Sequence, residues 1–289
     1  MFKSIWDDIV DQFRRGSAVT GLIIICVAVF LVFETLHLVL WAMGNEALYT
    51  TIYNLFALPP SFRVFITQPW SAITFMFMHA GVSHIFFNML TLFWFGEIYR
   101  LYMRDKRLWP IFIFGSLAGA ALYMALSYVF IPLRAAIDFS HLVGASAGIL
   151  AIVFAATALN PDHDVNLLFI GRVPLKYIAI AVFLLSYVGI THGNAGGMIA
   201  HIGGAIFGFA YIKALQSGTD WFKPLDKIGA VFKPKSKLKA TYVNTGARKD
   251  KPSGSEQQKL DAILDKIAKS GYGSLNKEEK DFLFKFSNK

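Results

Sequence analysis

The feature that most constrains this chain is a series of long apolar runs between residues 18 and 216. Six runs stand out, at 19–43, 70–99, 108–132, 144–160, 174–191 and 195–215. A bilayer core of about 30 Å needs roughly 17–25 apolar residues per helix, and the last three runs are near the lower limit. Because lipid offers no partner for backbone N–H and C=O groups, we expect these runs to be helices. The pattern predicts an all-α, polytopic membrane protein with six transmembrane helices.

The composition changes after residue 216, where the chain becomes polar and rich in lysine. We divide the chain into an interfacial amphipathic segment (1–17), a six-helix domain (18–216), a basic linker (217–254) and a C-terminal cytoplasmic helical hairpin or tail (255–289). The net charge of +9 is also typical of nucleic-acid binding. Since most lysines lie in the tail, positive charge beside the cytoplasmic leaflet explains it more simply, and we expect no nucleic-acid partner.

The two polar ends carry amphipathic patterns. The apolar face predicted for the first segment consists of Phe2, Ile5, Trp6, Ile9, Val10 and Phe13. That pattern is typical of a helix lying on the membrane surface. The tail predicts one helix with Leu260, Ile263, Leu264 and Ile267 on one face, and a second over 276–286. Two interpretations of the tail stay open, a weakly ordered extension and a docking module for an unknown cytoplasmic partner or the membrane.

Cysteine and histidine usage limits the chemistry. Cys26 is the single cysteine, so no intrachain disulfide is expected. The sequence has no HExxH motif and no cysteine cluster, and we expect neither a metal nor a cofactor.

The lysines and arginines predict the orientation. With six spans both termini lie on one side, and every one of the 28 basic residues except Arg63 and Arg134 falls on that side. We therefore place both termini in the cytoplasm, so that the second, fourth and sixth runs descend from outside to inside. The first external loop, at about 44–69, is unusually apolar. It is either partly embedded in the outer leaflet or a folded external cap.

Three polar residues in the descending runs share one depth. Asn88 lies 12 residues before Arg100, Ser146 lies 14 before Asn160, and His201 lies 12 before Lys213. At about 1.5 Å per residue, all three lie roughly 18–21 Å above the cytoplasmic boundary. Polar side chains inside membrane helices are costly and tend to mark function. We expect a shared polar cavity that opens to the outside.

The residue types predict nucleophilic catalysis. A serine hydroxyl becomes a good nucleophile when a base takes its proton, and histidine is the usual base, so Ser146 and His201 form a candidate pair. His84 and Asn88, four residues apart on one helical face, can donate hydrogen bonds to an oxyanion. The free N–H groups at the start of the fourth helix can do the same.

Small residues predict close packing around this pair. Gly204 and Gly208 have GxxxG spacing after His201, and Gly144 belongs to a run of small residues around Ser146. Small residues let helix backbones approach closely in lipid. Packing of the fourth against the sixth helix would bring Ser146 and His201 within hydrogen-bond distance.

These motifs together resemble the rhomboid intramembrane serine proteases. The resemblance rests on "HAGVSHIFFN", which holds His79, His84 and Asn88, on "GASAG" around Ser146, and on "AHIGGAIFG" at 200–208. It covers about residues 18–215. It implies a six-helix rhomboid bundle with Ser146 as nucleophile, His201 as general base, and His84 and Asn88 at the oxyanion. The implied partners are transmembrane segments of substrate proteins within the lipid bilayer.

Two positions depart from the family pattern. The family commonly has glycine directly after the serine, where this chain has Ala147, and many relatives have an acidic residue where this chain has Arg100, with Glu97 one turn earlier. We expect Ala147 to be tolerated and Glu97 to replace the missing acid. His79 is expected to be structural, bracing the first external loop by hydrogen bonds.

The sequence also leaves two other functions open. A catalytically inactive rhomboid-like protein that binds membrane clients is the main alternative to the protease. A solute transporter is a further alternative, although no inverted repeat supports it.

The tail bears on the location of the protein, because similar tails on some bacterial relatives favour a bacterial inner membrane.

Overall fold

The computed structural model describes residues 16–167, 170–226 and 254–287. These residues fall into two units, which divide between residues 232 and 233. The predicted interfacial segment at 1–17 and the predicted linker at 217–254 lie mostly outside the described residues.

Helices make up most of the first unit, as expected from its apolar runs. In chain order they are α1 (Ala18–Ala42), α2 (Glu46–Phe56), α3 (Phe62–Phe65), α4 (Ser71–Thr74), α5 (Val82–Tyr102), α6 (Leu108–Val129), α7 (Ile131–Ala135), α8 (Ser146–Leu159), α9 (Leu175–Gly189) and α10 (Ala195–Gln216). Short 3-10 turns at Phe75–Phe77 and Asp105–Arg107 follow α4 and precede α6. The prediction of a mainly helical chain is confirmed.

Three of the described helices are long and apolar enough to cross a bilayer. They are α1, α6 with the turn before it, and α10. A fourth crossing results if α4 and α5 count as one broken helix, but these two are bent by 89°. The prediction of one continuous run over 70–99 is therefore wrong, because the chain turns at 78–81. Helices α8 and α9, of 14 and 15 residues, are about 21–23 Å long, shorter than the hydrocarbon core.

A small β-hairpin corrects the all-α prediction. Strand β1 (Asp164–Leu167) pairs antiparallel with β2 (Gly171–Pro174) between α8 and α9. The register places Asp164 opposite Pro174 and Leu167 opposite Gly171. Strands of four residues are too short to give a periodic signal between the two apolar helices.

Glycine and alanine bring α6, α8 and α10 together at the centre of the first unit. Gly115 of α6 lies against the Ala151 methyl group, and Gly119 lies against Ala147 and against the Ala200 carbonyl of α10. In the other direction Gly203 of α10 lies against the Gly119 backbone. Because no side chain separates these backbones, α8 is enclosed between two neighbours, and nearly all its residues are buried.

The loop at 44–69, which is predicted to be external, is folded. Its helix α2 lies beside α1, where Phe33 makes edge-on contacts with Tyr53 and Phe56. An isolated antiparallel bridge joins Leu58 to Leu142, just before Ser146. Large apolar side chains also project outward from this loop, among them Leu48, Leu55, Phe62, Ile66 and Trp70. The loop thus combines a fixed fold with an apolar exterior, and both sequence interpretations retain support.

A charged cluster closes the end of the first unit where α6 begins and α10 ends. After α10 the chain returns to the start of α6, where the Arg107 guanidinium donates to both Asp220 and Asp226 and to the Phe222 carbonyl. Lys106 lies 3.3 Å from the Asp226 carboxylate. The cluster ties α10 to α6 at the end remote from the predicted catalytic residues.

The second unit contains α11 (Gly254–Ser270) and α12 (Lys277–Ser287). Ile263 and Leu275 are buried between them, and the Lys266 ammonium lies 2.9 Å from the Glu279 carboxylate. Asn276 and Glu279 form a reciprocal capping box at the start of α12, with N–H to oxygen distances of 2.9 and 2.8 Å. Leu264, predicted on the apolar face, is half exposed.

Candidate active site

Ser146 is the first residue of α8 and follows a constrained loop. Gly144 has a φ of +132°, and its N–H donates to the Phe75 carbonyl at 2.9 Å. A Cβ at Gly144 would also come within 3.0 Å of the His84 ring. Both the backbone angle and the missing space therefore require glycine here. The first intrahelical bond of α8 runs from Ile149 N–H to the Ala145 carbonyl, which leaves the preceding N–H groups available.

His201 lies on α10 and faces Ser146. Its Nε2 is 2.7 Å from the Ser146 Oγ, which is hydrogen-bond distance. The two residues are 55 positions apart in the chain. The structure therefore brings together the serine and the histidine that the sequence selected.

Close backbone contact between α8 and α10 explains this short distance. A Cβ added to Gly204 would overlap the Ala147 carbonyl, and one added to Gly208 would overlap the Ala151 carbonyl. These two glycines follow His201 by three and seven residues, so they lie on its face of the helix. Any larger side chain there would separate the helices and lengthen the Ser146–His201 contact.

His84 approaches the same point from α5. Its Nδ1 accepts a hydrogen bond from the Ala80 N–H at 3.3 Å. An accepting Nδ1 carries no proton in the neutral ring, so Nε2 carries it and can donate. That nitrogen lies beside Gly144, two residues before Ser146. Asn88, one turn further along α5, is buried and lines the same cavity.

His79 differs from its predicted role. Its ring is only 3% exposed, and neither nitrogen has a hydrogen-bond partner among the described residues. The expected hydrogen bonds to the first external loop are therefore not observed. The ring instead packs edge-on against His84, with centroids 5.2 Å apart. His79 lies in the bend between α4 and α5, and it supports His84 by packing.

The site residues line a cavity of about 860 Å³ between α5, α8, α9 and α10. Its polar end holds Ser146, His201, His84 and Asn88. Its apolar end is formed by Phe95, Val153, Ile178 and Val182. No Asp, Glu, Lys or Arg of the described chain lines it. Polar and apolar side chains thus line one cavity between helices.

Several polar neighbours of the site are not marked by the sequence patterns. Ser83, Thr91, His141 and Asn194 also line the cavity. Ser186 of α9 lies 3.4 Å from Nδ1 of His201. Its signal was a lone serine in the apolar run "AVFLLSYVG", but such serines usually bond to their own helix. Among described residues, no group of three or more His, Cys, Asp or Glu side chains is arranged to hold a metal ion.

The structure shows the contacts of Ala147 and Arg100, the two residues that depart from the family pattern. The Ala147 methyl lies against Gly119 of α6, where no side chain competes for the space. Arg100 is paired on both sides, with the Glu97 carboxylate at 2.7 Å and the Asp105 carboxylate at 2.8 Å. Asp105 also accepts from the Ala18 N–H at the start of α1. Glu97 therefore neutralises Arg100, and Asp105 ties this corner to α1.

The described fold and site define an integral membrane protein with a polar cavity enclosed by apolar helices. Comparison with known families agrees: a model described as Rhomboid domain matches residues 67–217, more than half of the chain. The chain belongs to the rhomboid family, and the resemblance seen in its motifs is confirmed. The match spans α4 to α10 and includes every predicted site residue.

Two further similarities were found. Residues 252–289 match a family of unknown function (DUF6576), and the match includes both described helices of the second unit. The chain is also similar to Rhomboid-related protein 1 of Caenorhabditis elegans, with 27% identity over 176 residues. That alignment covers 56% of this chain and 44% of the relative, so the chain spans less than half of the relative's length.

Proposed function

We propose that the protein is an intramembrane serine endopeptidase that cleaves transmembrane segments of other membrane proteins. The observation that carries this proposal is the 2.7 Å contact between Ser146 Oγ and His201 Nε2 inside a cavity between membrane helices. A hydroxyl and an imidazole at that distance form the basic unit of nucleophilic acyl transfer.

The reaction uses groups already in place. His201 Nε2 takes the proton of Ser146 as Oγ attacks the scissile carbonyl, and then gives it to the leaving amine. Water, activated by the same nitrogen, hydrolyses the acyl-enzyme. The oxyanion is stabilised by the Nε2–H of His84, the Asn88 amide and free N–H groups at the start of α8. Preorganised donors of this kind contribute about 10²–10³-fold each in related chemistry.

The cavity supports a membrane-embedded substrate. Its apolar end between α5, α8 and α9 suits an apolar polypeptide segment, and its polar end admits the water that hydrolysis needs. We further propose that α1, the α4–α5 pair, α6, α8, α9 and α10 form six crossings, with both termini cytoplasmic and the cavity open to the outside. The positive-inside rule supports this orientation.

The remaining assignments are also proposals. We assign the protein to a bacterial inner membrane. We assign residues 18–216 to the protease domain, residues 1–17 to an interfacial segment, and residues 217–254 to a linker. The unit at 255–289 acts as a cytoplasmic module with an unknown partner. Its capping box and Lys266–Glu279 pair support a folded hairpin over a loose tail.

A labelling and cleavage experiment tests the function. Purified protein in detergent or vesicles is incubated with a fluorophosphonate probe and, separately, with a single-span model substrate. We expect wild type to label and cleave, and Ser146→Ala and His201→Ala to lose at least about 10³-fold of activity. The matched control is Ser127→Ala, which removes another buried hydroxyl, on α6, that bonds only to the Tyr123 carbonyl.

Two outcomes would decide against the proposal. Folded wild type that neither labels nor cleaves would favour the inactive client-binding alternative. Cleavage by Ser146→Ala at the wild-type rate would show that another residue is the nucleophile.

A further inference from the structure

Ser186 occupies an unusual position for a serine in a membrane helix. It lies on α9, its side chain faces α10, and the residue is only 4% exposed. Its Oγ–H donates to the Val182 carbonyl, with an O···O distance of 2.9 Å. The same oxygen lies 3.4 Å from Nδ1 of His201. The hydroxyl therefore connects α9 to the histidine on the side of the ring opposite Ser146.

The hydrogen count at Ser186 determines the direction of this contact. A hydroxyl has one hydrogen and two acceptor lone pairs, and here the hydrogen points to the Val182 carbonyl. Toward His201 the oxygen can therefore only accept. An accepted hydrogen bond requires the proton of the neutral imidazole to be on Nδ1, which leaves Nε2 with a free lone pair.

That tautomer is the one a general base needs. Nε2 must be unprotonated to receive the Ser146 proton, and the 2.7 Å contact places it there. When the proton arrives, the ring becomes positively charged and its Nδ1–H becomes a stronger donor. The Ser186 contact is thus stronger in the charged state than at rest, which is the condition for aiding the chemical step.

Among the described residues, no acidic side chain lines the cavity to accept a hydrogen bond from Nδ1 of His201. Besides His201, the polar side chains that line the cavity are Ser83, His84, Asn88 and Thr91 of α5, His141 of the loop before α8, Ser146 of α8, and Asn194 at the start of α10. Ser186 is the only described side chain within hydrogen-bond distance of Nδ1. The orienting task that a carboxylate performs in many serine hydrolases is therefore left to a hydroxyl.

We propose that Ser186 is a positioning residue that holds His201 in its Nδ1–H tautomer and orients the ring toward Ser146. This inference rests on the proposed function, because it gives Ser186 a task in the same reaction. The order of contacts is Ser146, His201, Ser186 and the Val182 carbonyl, and it links three helices.

The test compares matched variants of the full-length protein. Ser186→Ala removes the acceptor, and Ser186→Thr keeps a hydroxyl that can bond to Val182, as Thr157 already bonds to the Val153 carbonyl. Ser127→Ala is the control, because its hydroxyl makes the same bond to the carbonyl four residues earlier without a histidine nearby. The readouts are the maximal rate and half-saturating concentration of fluorophosphonate labelling, and kcat and KM for a single-span substrate.

We expect Ser186→Ala to lower the maximal labelling rate and kcat by about tenfold, with little change in half-saturation or KM. Ser186→Thr should recover most of the loss, and Ser127→Ala should match wild type. A merely structural role predicts instead that Ser186→Ala and Ser127→Ala lower thermal stability and activity together. Wild-type labelling by Ser186→Ala would overturn the proposal.

A spectroscopic readout separates this inference from the protease proposal. In protein labelled with ¹⁵N-histidine, NMR distinguishes the two tautomers of His201 without any turnover. We expect the Nδ1–H form in wild type and in Ser186→Thr, and a mixture in Ser186→Ala. If wild type never labels but the tautomer still depends on Ser186, the protease proposal fails and the positioning contact stands. An unchanged tautomer in Ser186→Ala would refute the contact.

Discussion

Helices α8 and α9 have similar length and apolar composition but opposite packing. Eleven of the 14 residues of α8 are buried, against three of the 15 residues of α9. Small residues account for the difference. Helix α8 presents alanine and glycine to the glycines of α6 and α10, whereas α9 carries leucine, isoleucine and tyrosine that project outward. In lipid, outward apolar side chains are not penalised, so residue size decides which helix becomes central.

The difference also separates two functional roles. The proposed nucleophile, Ser146, begins the most enclosed helix, so its position is set by contacts on several sides. Ser186 belongs to a much less enclosed helix and touches His201 through one hydroxyl. Displacing α9 would therefore affect the orientation of His201 before it affected the Ser146 backbone.

The largest expected effect comes from adding bulk between α8 and α10. Gly204→Ala would place a methyl group on the Ala147 carbonyl, and since the backbone must move to make room, we expect a loss of about 3 kcal/mol in the free energy of unfolding. The matched change on α9 is Gly189→Ala, whose Cβ would meet only the flexible end of Met198, at 3.0 Å. We expect it to cost under about 1 kcal/mol. Thermal unfolding in detergent measures both, and equal losses would contradict the packing difference.

A smaller loss of stability is expected when an alanine is replaced by leucine, and the same change can be compared on α8 and α9. Ala151 of α8 is fully buried against Gly115 and Gly208, so Ala151→Leu should lower the free energy of unfolding by about 1–3 kcal/mol. Ala181 of α9 is exposed at the apolar surface, and Ala181→Leu should change it by less than about 0.5 kcal/mol. If Ala181→Leu lowered the free energy of unfolding more than Ala151→Leu, the proposed difference in packing between α8 and α9 would be wrong.

The smallest expected effect concerns the charged cluster around Arg107, which ties the end of α10 to the start of α6 and does not involve α9. The Arg107 guanidinium, which Asp220 also faces, holds the pKa of Asp226 below its ordinary value, and Lys106 contributes in the same direction. A lowered pKa in the folded state stabilises the fold above the ordinary value of about 3.9, and this contribution is lost as pH falls through the lowered pKa. Because Asp226 is partly exposed, the effect is small.

The pH dependence can be isolated with one variant. Wild type should unfold at a higher temperature than Asp226→Asn at pH 6, and the difference should shrink as the pH falls below about 4. If the difference in unfolding temperature did not depend on pH, the negative charge of Asp226 would not be what stabilises the charged cluster around Arg107.

Several features could be read from residue types and spacing. The long apolar runs marked the helices, and the ends of α1, α6, α8 and α10 lie within a few residues of the expected positions. Ser146 and His201 were selected because both are polar at one depth in descending runs. The glycines at 204 and 208 indicated a close helix contact because GxxxG spacing is a packing signal in lipid.

Other features could not be read in this way. The bend between α4 and α5 falls in a run that is apolar on both sides, so hydropathy alone did not separate the two helices. The hairpin of β1 and β2 is too short to have a periodic pattern. His79 was expected to form hydrogen bonds, but its position in the bend puts the ring against His84.

The sequence by itself determined that this chain enters a membrane and where most of its helices run, and it predicted which polar residues share a depth. Only the tertiary structure decided how each helix is rotated about its axis, because a helix that is apolar all round has no polar face to mark its outer side. Ser146 and Ser186 therefore look alike in the sequence, as lone serines in apolar runs. The packing of α9 against α10 is what places Ser186 beside Nδ1 of His201, with Ser146 at the opposite nitrogen.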